Sequence, residues 1–218
     1  MPSLRRLARG LKPRIQDMQI DSVEALRALY ASPGPRAAMK ALPALDRHGA
    51  AFIALSPFLV LATAGADGSL DASPRGGAPG FVKLLDASTL LIPDAPGNNR
   101  LDSLGNIVAT GRAGLLFMVP GVDETLRVNG RATLSTAPEE LERAADERRR
   151  PKLVIRITVQ QAYLHCAKAL MRSKLWQADS RVDRARLPTM GQMLREHTCI
   201  DGPVETQAQM LQRYADSL

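Results

Sequence analysis

The chain has 218 residues, of which 45% are hydrophobic and 23% charged, and this ordinary globular composition excludes wholesale disorder. Two cysteines are too few for a disulfide scaffold, so we expect a reducing, cytoplasmic location. The formal net charge is +7, and five of the basic residues lie in the first 14 residues. The rest of the chain has 24 basic and 22 acidic side chains, a net charge of only +2, which does not indicate a nucleic-acid-binding face.

The first 20 residues are interpreted as a basic, flexible tail that precedes a domain over residues 21–218. The longest apolar stretch, from Ala50 to Ala66, is interrupted by Ser56 and Pro57 and is shorter than the ~20 residues of a spanning helix. We therefore predict no membrane segment.

After a helical region between Ser22 and Ser56, in which Ser22 can cap a helix that begins at Val23, the pattern changes to short apolar runs separated by turns. Strands are indicated at Phe58–Thr63, Leu70–Ser73, Phe81–Leu85, Thr89–Pro93, Gly114–Val119, Thr125–Ser135 and Leu153–Val159. Helices are indicated at Asn98–Ile107, Pro138–Arg150, Met190–His197 and Val204–Tyr214. Strands at this spacing predict a small antiparallel barrel or sandwich.

The common nucleotide-binding fingerprints with a glycine-rich loop are missing, and so is the nucleophile elbow of the hydrolases. His165, Cys166, His197 and Cys199 do not have the spacing of a zinc site. We therefore predict no metal.

Polar and cationic residues instead gather at two turns. In the first, Ser73 and Arg75 offer donors while Gly76 lets the backbone approach a ligand. In the second, the tract from Ile92 to Arg100 leads into a helical segment, whose free N–H groups favour an anion. The two tracts are typical of a phosphate site, although two ordinary turns with an arginine each would have the same pattern.

Two further tracts carry cations. Alternation places Thr125 and Arg127 on one face of a strand, which is either a binding face or a solvated outer face. Helical spacing places Lys168 and Arg172 side by side, an arrangement of like charges that an anion would stabilise, and Trp176 follows one turn later. The candidate cofactor-binding residues are Ser73, Arg75, Gly76, Asp94, Asn98, Asn99, Arg100, Thr125, Arg127, Lys168, Arg172 and Trp176.

Four ordered segments, SPRGG, IPDAPGNNRLDSLGNI, GLLFMVPGVDETLRVNGRATLST and HCAKALMRSKLW, resemble the pyridoxamine 5′-phosphate oxidase-like split barrels that bind flavin mononucleotide (FMN). The resemblance implies a mainly β (α+β) fold, a six-stranded antiparallel split β-barrel with flanking N- and C-terminal helices. It also implies a homodimer with FMN at the interface and an oxidoreductase activity on a small-molecule substrate.

The resemblance gives each tract a role. Arg75 falls where the family binds the flavin phosphate, Asn99 and Arg100 fall where the oxidases carry an Arg-Lys pair on that phosphate, and Thr125 falls near the ring. The tract from Lys168 to Trp176 would approach the flavin from the partner subunit. The C-terminal motif with which the oxidases hold pyridoxal phosphate is missing, so the resemblance does not identify the substrate.

Other interpretations stay open on the sequence. Relatives with the same barrel bind a deazaflavin or haem, and a flavin-binding protein without turnover would carry the same motifs. A basic nucleic-acid-binding module that uses the tail and the run 148–152 is disfavoured because aromatic residues for base stacking are scarce.

Overall fold

The structure is a computed structural model, and it describes residues 19–147 and 149–215. The cations of the basic tail and Arg148 of the basic run lie outside the described residues. Residues 41–218 form one compact unit, and the described residues before it hold two short helices without buried side chains, α1 (Val23–Ala28) and α2 (Pro35–Met39). The predicted cap of α1 is confirmed, because the Ser22 hydroxyl accepts a hydrogen bond from the Ala25 N–H at 3.0 Å.

The compact unit is built from one antiparallel sheet and six helices within the described ranges. The strands are β1 (Phe58–Ala64), β2 (Leu70–Gly76), β3 (Lys83–Asp86), β4 (Thr89–Pro93), β5 (Arg112–Met118), β6 (Thr125–Ser135) and β7 (Val154–His165). The helices are α3 (Arg47–Leu55), α4 (Asp102–Thr110), α5 (Pro138–Ala144), α6 (Lys168–Ser173), α7 (Met190–Thr198) and α8 (Gln207–Ala215).

The mainly antiparallel fold with flanking helices is confirmed, but the six-stranded split barrel is wrong, because the sheet has seven strands and is not closed. The sheet has seven strands in the order β2-β1-β5-β6-β7-β4-β3, so that β2 and β3 are its two free edges. The pattern of apolar runs indicates all seven strands, and the count of six comes from the resemblance alone. At the β3–β4 hairpin the Asp86 carboxylate accepts a hydrogen bond from the Ser88 N–H at 2.7 Å and tightens the turn. The short β3 therefore pairs with β4 and forms the edge of the sheet.

Strand β7 is the main difference in boundaries, since it runs on to His165 instead of ending near Val159. A β-bulge opposite Asn129 and Gly130 interrupts its alternation, after which Ala162 pairs with Val128 and Thr125 with His165. The two consecutive glutamines at the bulge interrupt the alternation of apolar residues, so the pattern does not predict the second half of the strand.

The hydrophobic core lies between the sheet and the helices that cover it. Its largest fully buried side chains include Phe117, Leu61 and Ile157 from three strands and Ile53 from α3. Helix α4 closes the core with Leu104 and Ile107, and it begins at Asp102 rather than at Asn98. Residues 94–101 therefore form a loop in front of α4.

Helix α5 is shorter than predicted and is partly buried. It ends at Ala144, and its Glu140 is buried in an ion pair with Arg156 of β7. Among the described residues, no helix combines the length and the hydropathy needed to cross a bilayer.

Candidate functional site

The inner face of the edge strand β2 carries alternating polar residues. Arg75 pairs with Leu59 and Ser73 with Leu61, and both leucines are fully buried, so the polar side chains lie on the core side of the sheet. Helix α4 covers this part of the sheet. The predicted residues Ser73 and Arg75 are thus half-buried between β2 and α4, while Gly76 is exposed at the end of the strand.

Arg75 connects three elements through its guanidinium group. Its Nη1 lies 3.6 Å from the Asp94 carboxylate at the end of β4, and its Nη2 donates a hydrogen bond of 3.3 Å to the Ser103 hydroxyl in the first turn of α4. The Ser103 hydroxyl in turn donates to the Asp71 carboxylate at 2.6 Å. We name these four residues, Arg75, Asp94, Ser103 and Asp71, the Arg75 cluster.

One donor of the Arg75 cluster, and the first N–H groups of the adjacent α4, have no side-chain partner among the described residues. The Nε of Arg75 is buried and has no hydrogen bond. The N-cap of α4 is Leu101, so no capping side chain accepts from the first N–H groups of the helix. A buried donor without a partner costs about 1–3 kcal/mol, so the cluster favours a bound acceptor.

The loop before α4 is exposed and holds the other predicted phosphate residues. The Asn98 side chain accepts a hydrogen bond from the Arg100 N–H at 3.1 Å, and Asn99 has a left-handed backbone with φ 59°. The Arg100 guanidinium donates to Asp102 at 2.7 Å, a hydrogen bond that raises the pKa of Arg100. Arg100 is therefore engaged with Asp102, and the convergence of Arg75 and Arg100 on one anion stays a prediction.

The ring-side candidates lie elsewhere, on the outer face of β6 and β7. Cross-strand pairs place Thr125 opposite His165 and Arg127 opposite Tyr163, with the Arg127 guanidinium 5.4 Å from the Tyr163 ring. Thr125 is only 4% exposed. This polar outer face begins at the same end of the sheet as the Arg75 cluster but on its opposite side.

Helix α6 presents the last candidates. Lys168 and Arg172 lie on it, and neither has an ion pair with another described residue. Trp176 follows the helix and donates its indole N–H to the Val122 carbonyl at 2.9 Å, which fixes the segment to the loop before β6. The stretch 165–178 contains three cations and no acidic residue.

Sequence reasoning missed Asp71, Ser103, Tyr163 and His165. Asp71 is recoverable from the period of two along β2 that also includes Ser73 and Arg75. The others depend on the register of β6 with β7 and on the packing of α4, which no local pattern contains.

Comparisons with known structures find similar folds at low identity. HupZ from Group A Streptococcus is 20% identical with a TM-score of 0.45, over 55% of this chain and 93% of that one. General Stress Protein 26 from Bacillus anthracis is 13% identical with a TM-score of 0.41, over 53% and 88%. An FMN-binding protein from Syntrophomonas wolfei is 10% identical with a TM-score of 0.42, over 53% and 81%.

None of the curated proteins compared with the chain matches it. The family model described as pyridoxamine 5′-phosphate oxidase matches residues 45–166, which is more than half of the chain and runs from just before α3 to the end of β7. The matched region contains the Arg75 cluster, the loop before α4 and the polar outer face of β6 and β7. The chain therefore belongs to the pyridoxamine 5′-phosphate oxidase family.

Proposed function

We propose that the protein binds FMN as a homodimer and acts as a flavin-dependent oxidoreductase on a small substrate. The observation that carries the proposal is the Arg75 cluster, where a largely buried guanidinium with a free Nε lies beside the uncapped start of α4. Family membership supports a flavin, and the donors at the cluster have the chemistry that a phosphate requires.

The charges at the cluster support a site that is shared between two subunits. Arg75 and Arg100 supply two cations, while Asp71, Asp94 and Asp102 supply three carboxylates. A phosphate carries a charge of about −2, so it needs more positive charge than this side of the site provides. The stretch from His165 to Ala178 has unpaired cations and no acid, and α6 of a second copy would supply them.

The residues of the chain have separable tasks in this proposal. Arg75 holds the phosphate and is itself oriented by Asp94 and Ser103. Because Thr125 and Arg127 lie on the opposite face of the sheet from Arg75, they would border the ring of a flavin whose phosphate the second copy holds. Trp176 fixes α6 so that its cations stay in place. When bound, the flavin supplies the hydride or electron transfer, which is why the site needs no acid–base dyad of its own.

We expect the purified protein to be yellow and to release a fluorescent flavin when it is denatured in acid. Stripped protein should bind FMN again and lose Trp176 fluorescence, a clean signal because the chain has one tryptophan. Riboflavin is the matched control, since it has the ring but no phosphate, and it should bind at least about tenfold more weakly. Colourless protein that binds neither compound would refute the proposal.

Turnover is tested separately from binding. The FMN-loaded protein is mixed with reduced nicotinamide cofactors under anaerobic conditions, and bleaching of the flavin absorbance is followed. Bleaching faster than that of free FMN supports an oxidoreductase. Stable FMN binding without accelerated bleaching by any donor would favour a carrier or sensor of flavin.

A further inference from the structure

A second polar site lies away from the Arg75 cluster, at the other end of the central strands. It is a groove of about 570 Å³. Its walls are formed by residues 62–64 of β1, residues 110 and 111 at the C-terminal end of α4, residues 112–114 at the start of β5, residues 129–131 of β6 and Gln160 of β7. Along β1 the groove is about 10–17 Å from Leu59, the residue that pairs with Arg75.

Two arginines lie side by side in this groove. Arg112 of β5 and Arg131 of β6 are direct cross-strand partners, both are exposed, and both line the groove. Neither guanidinium has a hydrogen bond or an ion pair with another residue of the described chain. Like charges directly opposite each other destabilise a sheet, and the groove lining contains no carboxylate to balance them.

The β-bulge places an additional polar group beside the two arginines. The register of β6 with β7 shifts between Asn129 and Gly130, so Gln160 is the extra residue on β7, and it lines the groove. Bulges re-aim side chains in this way at binding sites. Gly130 itself has no space for a side chain, since a Cβ would lie 2.1 Å from the Thr158 carbonyl oxygen.

We propose that this groove binds the phosphate group of a small organic phosphate, at a site separate from the flavin phosphate. Two guanidinium groups carry a charge that a phosphate dianion neutralises, whereas a single carboxylate would leave one of them unbalanced. Gln160 supplies a neutral donor beside them. The remaining volume of the groove accommodates the organic part of the ligand.

The test is calorimetric titration of inorganic phosphate at constant ionic strength into the FMN-loaded full chain and three variants of it. Arg112→Gln and Arg131→Gln should each weaken phosphate binding at least about tenfold, because each removes one of the two charges. Arg195→Gln is the matched control, since Arg195 is exposed on α7 and has no side-chain partner among the described residues. In this holoprotein the flavin phosphate occupies the Arg75 cluster, which separates binding in the groove from binding at the cluster.

Thermal unfolding gives an independent readout. Without phosphate, Arg112→Gln and Arg131→Gln should melt at the same temperature as the parent or higher, because repulsion between the arginines is relieved. Phosphate should raise the melting temperature of the parent and not of these two variants. Unchanged phosphate binding in both groove variants, or an equal response to acetate, would overturn the proposal.

Discussion

Replacing Arg75 with alanine is expected to abolish retention of FMN during purification while leaving the fold intact. Arg75 is the largely buried cation of the cluster, and hydrogen bonds from a charged donor are worth about 1.5–3 kcal/mol each. Losing one or two of them weakens FMN binding by about 10- to 10,000-fold. The lost contacts to Asp94 and Ser103 are largely buried, so we expect the free energy of unfolding to fall by about 1–3 kcal/mol, which a domain with this core tolerates.

Titration of stripped protein with FMN and with riboflavin, followed by Trp176 fluorescence, decides whether Arg75 acts on the phosphate. The variant should lose affinity for FMN and keep its affinity for riboflavin, because riboflavin has no phosphate for Arg75 to hold. Arg100→Ala should have a smaller effect, since its side chain is 72% exposed and is engaged with Asp102. Equal losses for both flavins would show that Arg75 only maintains the shape of the site, and no loss would refute its assignment.

The sheet could be predicted wherever apolar residues alternate without interruption. Leu59, Leu61 and Thr63 alternate along β1, and the Asp-Gly turn after them returns β2 in register, so the first hairpin follows from local pattern alone. The second half of β7 could not be predicted, because Gln160 and Gln161 occur where the apolar pattern should continue. Its pairing with β6 depends on a bulge that is stabilised by the whole sheet.

The donor residues of the candidate site could be predicted from the sequence, but the contacts between them could not. The donors at Arg75 and at the loop before α4 are visible because glycine and proline mark turns and charged residues gather there. That Arg75 contacts Ser103 in the first turn of α4 depends on the position at which that helix begins. The left-handed backbone of Leu101 sets that position, and its sequence signal is weak because leucine rarely adopts this conformation.

Gly130→Ala is expected to be the most destabilising single methyl addition in the sheet. A Cβ at this position would lie 2.1 Å from the Thr158 carbonyl oxygen and 3.3 Å from Ile157, and both belong to β7, the strand with which β6 pairs most extensively. A backbone oxygen cannot move aside as the end of a flexible side chain can. The two strands must separate at the bulge, which we expect to cost about 3 kcal/mol of unfolding free energy and to lower the melting temperature by roughly 10 °C.

Gly105→Ala is the matched control for that substitution. Gly105 lies inside α4, and a Cβ there would meet nothing within 4 Å, so the same methyl group enters open space. Alanine in a helix interior is favoured over glycine by about 1 kcal/mol, and this variant should therefore unfold at a slightly higher temperature than the parent. Thermal unfolding of the two variants side by side, followed by circular dichroism, measures both effects. If Gly130→Ala melted with the parent, the close approach of β6 to β7 at the bulge would be wrong, and so would the register that leaves Gln160 unpaired opposite Asn129 and Gly130.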